Sequence, residues 1–287
     1  MVVPFAERDS GMKRILIVGC GDLGSGLGLE LAQEGHEVWG LRRNPDRIPE
    51  PIRPLAGDFS EPGGLPPFPD KLDGVYLIAT PGEYSDAGYA RAYVQGMRHV
   101  LAQLAAEGQD PERVVFVSST GVYGEDMGGW VDEDTDPRPQ RFSGHRLLEA
   151  EQLLSVAPFP GVSVRFAGIY GPGRTRLVEK VRSGGAAVDN PPRYTNRIHR
   201  DDCVGILAHL FRMADPAPVY VGVDDAPCPQ TEVMDWIADR LHVPRPPRES
   251  NTGGRNKRCS NRRLRESGYQ LRYPSYREGF DALLADG

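Results

Sequence analysis

The sequence lacks the features that would place a protein in a membrane, in the secretory route or on nucleic acid. No apolar run approaches the roughly 20 residues that a membrane span needs. The first eleven residues carry charged side chains and no apolar core, which predicts a flexible leader over 1–11 rather than a signal peptide. The formal net charge of −6 gives no general attraction to nucleic acid. We therefore expect a cytoplasmic protein without membrane or nucleic-acid partners.

Cysteine is also scarce in this chain. Its 287 residues include four cysteines that are far apart and form no CxxC pair. They are Cys20, Cys203, Cys228 and Cys259. This spacing predicts free thiols in a reducing compartment, each acting as a small buried side chain. We expect no metal site.

What the chain does contain is a regular alternation of apolar strands and amphipathic helices over residues 12–171. The predicted strands are Lys13–Gly19, His36–Arg43, Lys71–Thr80, Arg113–Ser119 and Gly161–Gly171, and the predicted helices are Leu23–Glu34, Asp86–Glu107 and Ser143–Val156. Such alternation is typical of an α/β protein with a Rossmann-type, doubly wound parallel sheet. From Pro172 the helices become shorter and prolines frequent, so residues 172–287 are predicted to form a smaller substrate-binding lobe docked on the first domain.

The glycine-rich segment "GCGDLG" has the spacing G-x-G-x-x-G between a predicted strand and a predicted helix, the context in which that motif predicts dinucleotide binding. The first glycine permits a tight turn, the second lets the backbone approach a pyrophosphate, and the third lets the helix pack on the strand. The helix N-terminus would supply N–H donors to the anion. The candidate cofactor-binding residues of this loop are Gly19, Cys20, Gly21, Asp22, Leu23 and Gly24.

The second strand ends in "GLRRNP", where an acidic residue would hold the ribose of NAD. Arg42 and Arg43 suit the 2′-phosphate of NADP instead, by bidentate hydrogen bonds or by stacking on adenine. We therefore expect NADP(H), with NAD(H) as the alternative, and solvated surface arginines as the non-functional explanation. Asp58 and Phe59, in "GDF", are placed near the adenine.

These motifs occur in a recognisable order: "GCGDLG", "GDF", "VVFVSSTGVYG", "RFAGIYGPG", "NRIHRDD" and "YPSYREG". Over about residues 13–285 the chain resembles the extended short-chain dehydrogenases/reductases, the NAD-dependent epimerase/dehydratase family, and its glycine spacing is similar to that of the atypical branch. The resemblance implies that Ala79, Thr80 and Pro81 lie against the cofactor. It also implies that Ser119 hydrogen-bonds the reacting oxygen.

The same resemblance implies a Tyr-x-x-x-Lys pair on the following helix, with the tyrosine as general acid/base. The helix "PQRFSGHRLLEAEQLL" contains no such pair, and its alignment through Glu149 places Arg141 and His145 there. The unperturbed pKa of a histidine side chain lies near operating pH, which makes His145 a candidate for proton transfer. It could equally contact the cofactor ribose or lie on the helix surface. Tyr123, Tyr84 and Tyr170 are further proton-donor candidates.

Two departures from the family pattern argue against the usual sugar-nucleotide enzymes. Gly168 replaces the asparagine that helps epimerases to bind the nucleotide diphosphate, and Thr120-Gly121 replaces the Asp-Glu pair of dehydratases. The substrate is instead expected to be a small molecule, with an anionic group as one option because Arg141 could bind it. The candidate substrate-binding residues are Thr120, Arg141, Tyr170, Arg197 and His199.

The lobe adds three expectations. Asp201 or Asp202 in "NRIHRDD" is predicted to cap the following helix, and "SYRE" at 275–278 predicts a capping box. The arginine-rich segment 244–272 is either a site for an anionic substrate or a solvated surface.

Three functions fit these residues. The first is an NADP(H)-dependent oxidoreductase acting on a small carbonyl or alcohol, with Ser119 polarising the oxygen and His145 or a tyrosine moving the proton. The second is a non-catalytic NADP(H)-binding sensor or partner-binding module. The third is an epimerase or dehydratase that retains its cofactor. The resemblance also implies a homodimer that pairs through Asp86–Glu107 and Ser143–Val156.

Overall fold

A seven-stranded parallel sheet organises the chain. The computed structural model describes residues 11–285, so the predicted leader, apart from Gly11, lies outside the described residues. The strands are β1 (Arg14–Val18), β2 (Glu37–Arg42), β3 (Arg53–Ala56), β4 (Gly74–Leu77), β5 (Arg113–Ser119), β6 (Trp130–Val131), β7 (Gly161–Phe166), β8 (Gly168–Tyr170), β9 (Ala187–Asp189), β10 (Tyr194–Thr195), β11 (Arg197–His199), β12 (Val219–Gly222), β13 (Cys228–Pro229), β14 (Arg248–Ser250) and β15 (Arg258–Cys259).

Helices connect and flank these strands. They are α1 (Asp22–Gln33), α2 (Asp86–Tyr89), α3 (Gly96–Ala106), α4 (Phe142–Ser155), α5 (Arg176–Arg182), α6 (Arg200–Arg212), α7 (Gln230–Leu241), α8 (Arg262–Glu266) and α9 (Tyr276–Ala285). A π-helical segment, Ala90–Gln95, joins α2 to α3. None of the helices described over residues 11–285 is long and apolar enough to cross a membrane.

In the strand order β12-β7-β5-β4-β1-β2-β3, the side on which successive strands are added to the sheet changes at β1. The chain first builds outward through β2 and β3 and then returns to place β4 on the other side of β1. In open parallel sheets, ligands bind outside the carboxyl ends of the strands at such a switch point. The fold class predicted from the alternating pattern is therefore confirmed, and the switch point at β1 and β4 marks where to look for a site.

The described part of the chain falls into two compact units that interleave along the sequence. The first contains the chain up to Val122, residues 139–165 and Val204–Tyr220; the second contains Tyr123–Arg138, Phe166–Cys203 and the chain from Val221. The domain boundary predicted between residues 171 and 172 divides the chain into two consecutive parts. Each of the packed units is instead assembled from several separate segments of the chain.

The first unit is completed by its last segment, 204–220. The hydroxyl of buried Tyr76 donates to the carbonyl of Leu207 at 3.2 Å, and the ring of Phe211 lies directly over Gly74. The buried guanidinium of Arg113 donates to carbonyls at the end of α6, including Met213 at 2.9 Å. Residues far apart in sequence thus close one side of the sheet.

The second unit has its own apolar core and four two-stranded pairings: β6 with β15, β8 with β11, β9 with β14, and β10 with β13. Its buried members come mainly from α5, α7 and α9, with Phe280 and Ile237 almost fully enclosed. The capping box predicted at the start of α9 is confirmed, since Glu278 accepts hydrogen bonds from the N–H and the hydroxyl of Ser275. All four cysteines are buried as thiols rather than joined in disulfides.

One local prediction was incomplete and one was wrong. The helix predicted over Asp86–Glu107 is present as α2, the π segment and α3 in unbroken succession, and the π segment buries three consecutive residues, Ala92–Val94. Asp202 does not cap α6, because that helix already begins at Arg200. Its buried carboxylate instead accepts hydrogen bonds from the backbone N–H groups of residues 272 and 273 and from the Tyr269 hydroxyl.

Candidate cofactor site

A cavity of about 520 Å³ opens in the first unit at the carboxyl ends of β2, β1 and β4. Seven of the residues predicted to bind the cofactor line it: Gly19, Gly21, Arg42, Arg43, Asp58, Phe59 and Thr80. The other seven predicted cofactor residues do not line it: Cys20, Asp22, Leu23, Gly24, Ala79, Pro81 and His145. The cavity thus lies at the switch point of the sheet and gathers residues that are separate in sequence.

The first two glycines of the loop meet different constraints. Gly19 has a φ of +84°, and a Cβ there would lie 2.3 Å from the carbonyl oxygen of Ile78. Only glycine fits that position without strain. A Cβ on Gly21 would have nothing closer than 3.9 Å, so the space beside it is open. The loop therefore makes a turn that glycine requires and leaves room for a group against its backbone.

The start of α1 faces the same space. Gly21 occupies its N-cap position, and no side chain among residues 11–285 caps the helix. The first N–H groups of a helix have no partner within it and carry a partial positive charge. A Cβ on Gly24 would lie 3.0 Å from Ile17, so this glycine allows α1 to pack closely on β1, as predicted. The geometry suits an anion placed at the loop.

The remaining loop residues have other surroundings. Cys20 is fully buried and its Sγ lies 3.8 Å from the hydroxyl of Ser25. Burial raises the pKa of the Cys20 thiol, which keeps it protonated and unreactive. Leu23 is buried in the core, whereas Asp22 is exposed in the first turn of α1.

Two arginines close the cavity at the end of β2. Arg42 is half-buried and donates from one guanidinium nitrogen to the Cys20 carbonyl at 3.3 Å. Arg43 is exposed and, within residues 11–285, forms no ion pair. An arginine held against the glycine loop and an exposed second arginine place two guanidinium groups at this end of the cavity, and guanidinium groups suit the recognition of a phosphate.

The loop after β3 forms the floor beside them. One carboxylate oxygen of Asp58 accepts hydrogen bonds from the Ser60 N–H at 3.0 Å and the Ser60 hydroxyl at 2.6 Å, which fixes the turn. Phe59 lies against Gly96, and its carbonyl accepts a hydrogen bond from the ring of His99 at 2.9 Å. The "GDF" motif thus shapes the cavity through a turn anchored on α3.

The predicted catalytic residues Ser119 and His145 lie at the end of β5 and in the first turn of α4. Ser119 Oγ accepts a hydrogen bond from the Gly121 N–H at 3.1 Å, which leaves its own proton free to donate. A Cβ on Gly144 would lie 2.5 Å from the Gly121 carbonyl, so this turn packs directly on α4. His145 is exposed in the same helical turn. Thr120 is buried within the turn that Ser119 begins.

Tyr84 is held at the same end of α4. Its ring centroid lies 5.1 Å from that of Phe142 and 5.5 Å from that of Tyr89, yet 65% of the residue is exposed. Arg141, the N-cap residue of α4, is also exposed. The first unit therefore presents accessible phenol, imidazole and guanidinium groups around one helix N-terminus.

Other predicted site residues lie inside the second unit. Tyr123 is 2% exposed, and its carbonyl accepts a hydrogen bond from Nζ of the buried Lys257 at 2.8 Å. Tyr170 packs between the rings of His199 and Phe280, at 5.3 and 4.5 Å. Burial raises the pKa of Tyr170 and lowers that of His199. Both side chains are committed to packing there.

Arg197 is likewise enclosed, with 5% exposure. It donates to the carbonyl of Ala226 at 3.4 Å and to the Cys228 sulfur at 3.4 Å, and it hydrogen-bonds Thr195. These contacts hold β11 against its neighbours. The predicted roles of Arg197, His199, Tyr170 and Tyr123 toward a substrate stay predictions.

Sequence reasoning missed the helical side of the cavity. Gly82, Glu83, Gly88, Arg91 and Ala92 line it, and all follow β4. Arg91 and Ala92 belong to the π segment, whose extra residue per turn breaks the helical periodicity used to place side chains. Asn44, Ser60 and Glu61 also line the cavity without having been predicted. Nearness to "GDF" was the one available signal for Ser60 and Glu61.

Comparison with known proteins agrees with this geometry. Residues 15–189, which include the whole cavity, match the model of the NAD dependent epimerase/dehydratase family. The chain belongs to this family. The resemblance deduced from its motifs is thereby confirmed.

Individual relatives extend over nearly the whole chain. Protein YeeZ from Escherichia coli K12 is 30% identical over 276 residues, covering 92% of this chain and 97% of its own. A solved structure from Methylobacillus flagellatus, named for NAD-dependent epimerase/dehydratase, is 37% identical with a TM-score of 0.78, covering 96% of this chain and 99% of its own. The human epimerase family protein SDR39U1, solved with NADPH, shares the fold at 20% identity and a TM-score of 0.78, covering 96% of this chain and 100% of its own.

Proposed function

We propose that this family member is an NADP(H)-dependent oxidoreductase acting on a small carbonyl or alcohol. The observation that carries the proposal is the pair Arg42 and Arg43, which line the cavity beside the glycine loop where an acidic residue would favour NAD. When bound, the nicotinamide would supply or accept a hydride.

The residues present fit such a cofactor. The open space beside Gly21 and the uncapped start of α1 suit the pyrophosphate, and the unpaired Arg43 suits a 2′-phosphate. The half-buried Arg42, already fixed on the Cys20 carbonyl, would hold its guanidinium plane in place for stacking or bidentate hydrogen bonding.

The proton-transfer residues follow from the first turn of α4. Ser119 would donate its free hydroxyl proton to the substrate oxygen, because its lone pair already accepts the Gly121 N–H. His145 and Tyr84 are the accessible groups that could move the proton, in place of the absent Tyr-x-x-x-Lys pair. An anionic group on the substrate would find the exposed guanidinium of Arg141 at the same helix end.

The first test is cofactor preference. Titration with NADPH and NADH, followed by nicotinamide fluorescence, is expected to show tighter binding of NADPH. Arg43→Ala should weaken NADPH binding about ten-fold, because the loss of one charge-assisted hydrogen bond changes the binding free energy by about that factor. NADH binding should stay unchanged. Arg47→Ala is the matched control, because Arg47 is exposed nearby but does not line the cavity. Equal binding of the two cofactors would contradict the NADP(H) assignment.

The second test is turnover. NADPH oxidation across a panel of aldehydes and ketones is expected, with Ser119→Ala reducing kcat and leaving NADPH affinity intact. His145→Ala and Tyr84→Phe then identify the proton donor, since only the variant that lacks it should lose the corresponding limb of the pH profile. NADPH binding without turnover of any substrate would favour the cofactor-sensor function.

Family membership favours one further candidate, an epimerase or dehydratase that keeps its cofactor through the cycle. Nucleotide that co-purifies with the protein and stays bound through dialysis would support it. The four buried cysteines, none of them in a disulfide, support a reducing, cytoplasmic location. A homodimer through α3 and α4 stays a prediction.

A further inference from the structure

The cavity has a basic residue on its helical side that neither the glycine motif nor the strand β2 supplies. Arg91 stands in the π segment and lines the cavity together with Gly88 and Ala92. Its side chain is exposed. Single π-helical turns are rare and are found frequently at functional sites.

The backbone that carries Arg91 is firmly held. The next residue in the chain, Ala92, begins a run of three buried residues, and the hydroxyl of Tyr93 donates to the Ala79 carbonyl at 3.4 Å. At the end of the segment, Gly96 allows the ring of Phe59 to approach within 2.6 Å of where a Cβ would stand. The π segment is thus anchored on both the end of β4 and the "GDF" turn, so Arg91 is presented to the cavity from a fixed support.

The charge of Arg91 has no carboxylate partner within residues 11–285. Its neighbours along and across the helix behave differently. Arg98, seven residues later, lies 3.7 Å from a carboxylate oxygen of Glu149, and Arg146 forms ion pairs with Asp86 and Glu149 at 2.8 and 2.9 Å. Arg91 is left to bind a group that enters from outside.

We infer that Arg91 binds the phosphate groups that NADH and NADPH share. The strand order β4-β1-β2 places the glycine loop between the two sides of the cavity. Arg42 and Arg43 follow β2, whereas Arg91 follows β4, on the opposite side of the loop that would hold the pyrophosphate. With a guanidinium there, the doubly charged pyrophosphate would have arginine side chains on both sides. Arginine matches phosphate geometry because it offers paired donors. This inference rests on the proposed function.

The experiment measures Kd for NADPH and NADH in wild type, Arg91→Ala and Arg91→Lys. Arg91→Ala is expected to weaken both cofactors about ten-fold, and Arg91→Lys to restore part of the loss. Arg98→Ala serves as the control on the same helix, outside the cavity. An unchanged Tm in each variant shows that the fold is intact.

Three outcomes are decisive. Parallel weakening of NADPH and NADH in Arg91→Ala supports the shared-phosphate assignment, in contrast to the NADPH-selective loss expected for Arg43→Ala. Unchanged binding of both, or a loss confined to NADPH, overturns it. If the wild type binds neither nucleotide, the proposed function fails and the inference fails with it, a result that the wild-type titration alone makes visible.

Discussion

Replacing Asp224 with asparagine is expected to stabilise the protein relative to wild type, and increasingly so as the pH rises. Asp224 is 2% exposed; one of its oxygens accepts a hydrogen bond from the Ala226 N–H at 3.2 Å, and the other has no hydrogen-bond partner within residues 11–285. Burial raises the pKa of this carboxyl from 3.8 to about 6, even though the nearby Arg197 favours the charged form. The folded protein therefore resists an ionisation that the unfolded chain undergoes freely.

The sign and size follow from linkage. Well below pH 3.8 the carboxyl is protonated in both states and costs nothing; between pH 3.8 and about 6 the unfolded state ionises more readily than the folded state, so the free energy of unfolding falls, and the fall levels off above about pH 6. A shift of roughly 2 pKa units corresponds to about 3 kcal/mol in full, of which about 1.4 kcal/mol develops between pH 5 and pH 8. Asparagine keeps an acceptor for the Ala226 N–H and removes the charge.

Urea unfolding followed by tryptophan fluorescence at pH 5, 6.5 and 8 measures this difference. The free energy of unfolding of Asp224→Asn minus that of wild type should rise by about 1.4 kcal/mol across the range. Asp225→Asn is the control, because Asp225 is exposed and hydrogen-bonded to Asn261. A difference that stays constant with pH, or that shrinks as the pH rises, would refute the argument that burial controls this carboxyl.

Two other perturbations test the loop and the core. Gly19→Ala should lower the free energy of unfolding, measured in urea, by about 2 kcal/mol or more, because Gly19 has a positive φ and a Cβ there would meet the Ile78 carbonyl. Gly21→Ala should leave Tm unchanged and weaken NADPH binding, because the space beside Gly21 is open. Wild-type stability of Gly19→Ala would contradict the prediction for Gly19, and wild-type NADPH affinity of Gly21→Ala would contradict the prediction for Gly21. Glu151→Gln breaks a buried pair with Arg165 at 2.6 Å and should lower the free energy of unfolding by about 3–5 kcal/mol, against under about 1 kcal/mol for the half-exposed Glu149→Gln. Similar losses in both glutamate variants would contradict that reasoning.

Much of the first half could be predicted because its signals are local. An apolar strand, three glycines at fixed spacing and a helix are contiguous, and the structure brings Gly19 and Gly21 to the cavity with Arg42 and Arg43. Four of the strands predicted up to residue 171 are present with ends shifted by at most a few residues, since buried parallel strands are apolar throughout. The fifth, Gly161–Gly171, is divided between β7 in the seven-stranded sheet and β8, which pairs with β11.

The parts that escaped prediction depend on contacts between distant segments. Nothing near Asp202 indicates that its carboxylate will accept hydrogen bonds from residues about 70 positions later. The π segment has no periodic signature, so Arg91 was not recognised. His199 and Arg197 have residue types suited to a site, but burial against Tyr273 and β13 gives them partners that no motif reveals.

The interleaved first unit also has a consequence for the order in which the protein can fold on the ribosome. Tyr76 and Arg113 are synthesised about 100 residues or more before the carbonyls of Leu207 and Met213 to which they donate. During that interval the growing chain must carry a sheet with one side open, while the residues of the second unit are made in between. A nascent chain arrested near residue 171 would therefore expose Gly74 and its neighbours to chaperones until the segment 204–220, which covers them, has been made.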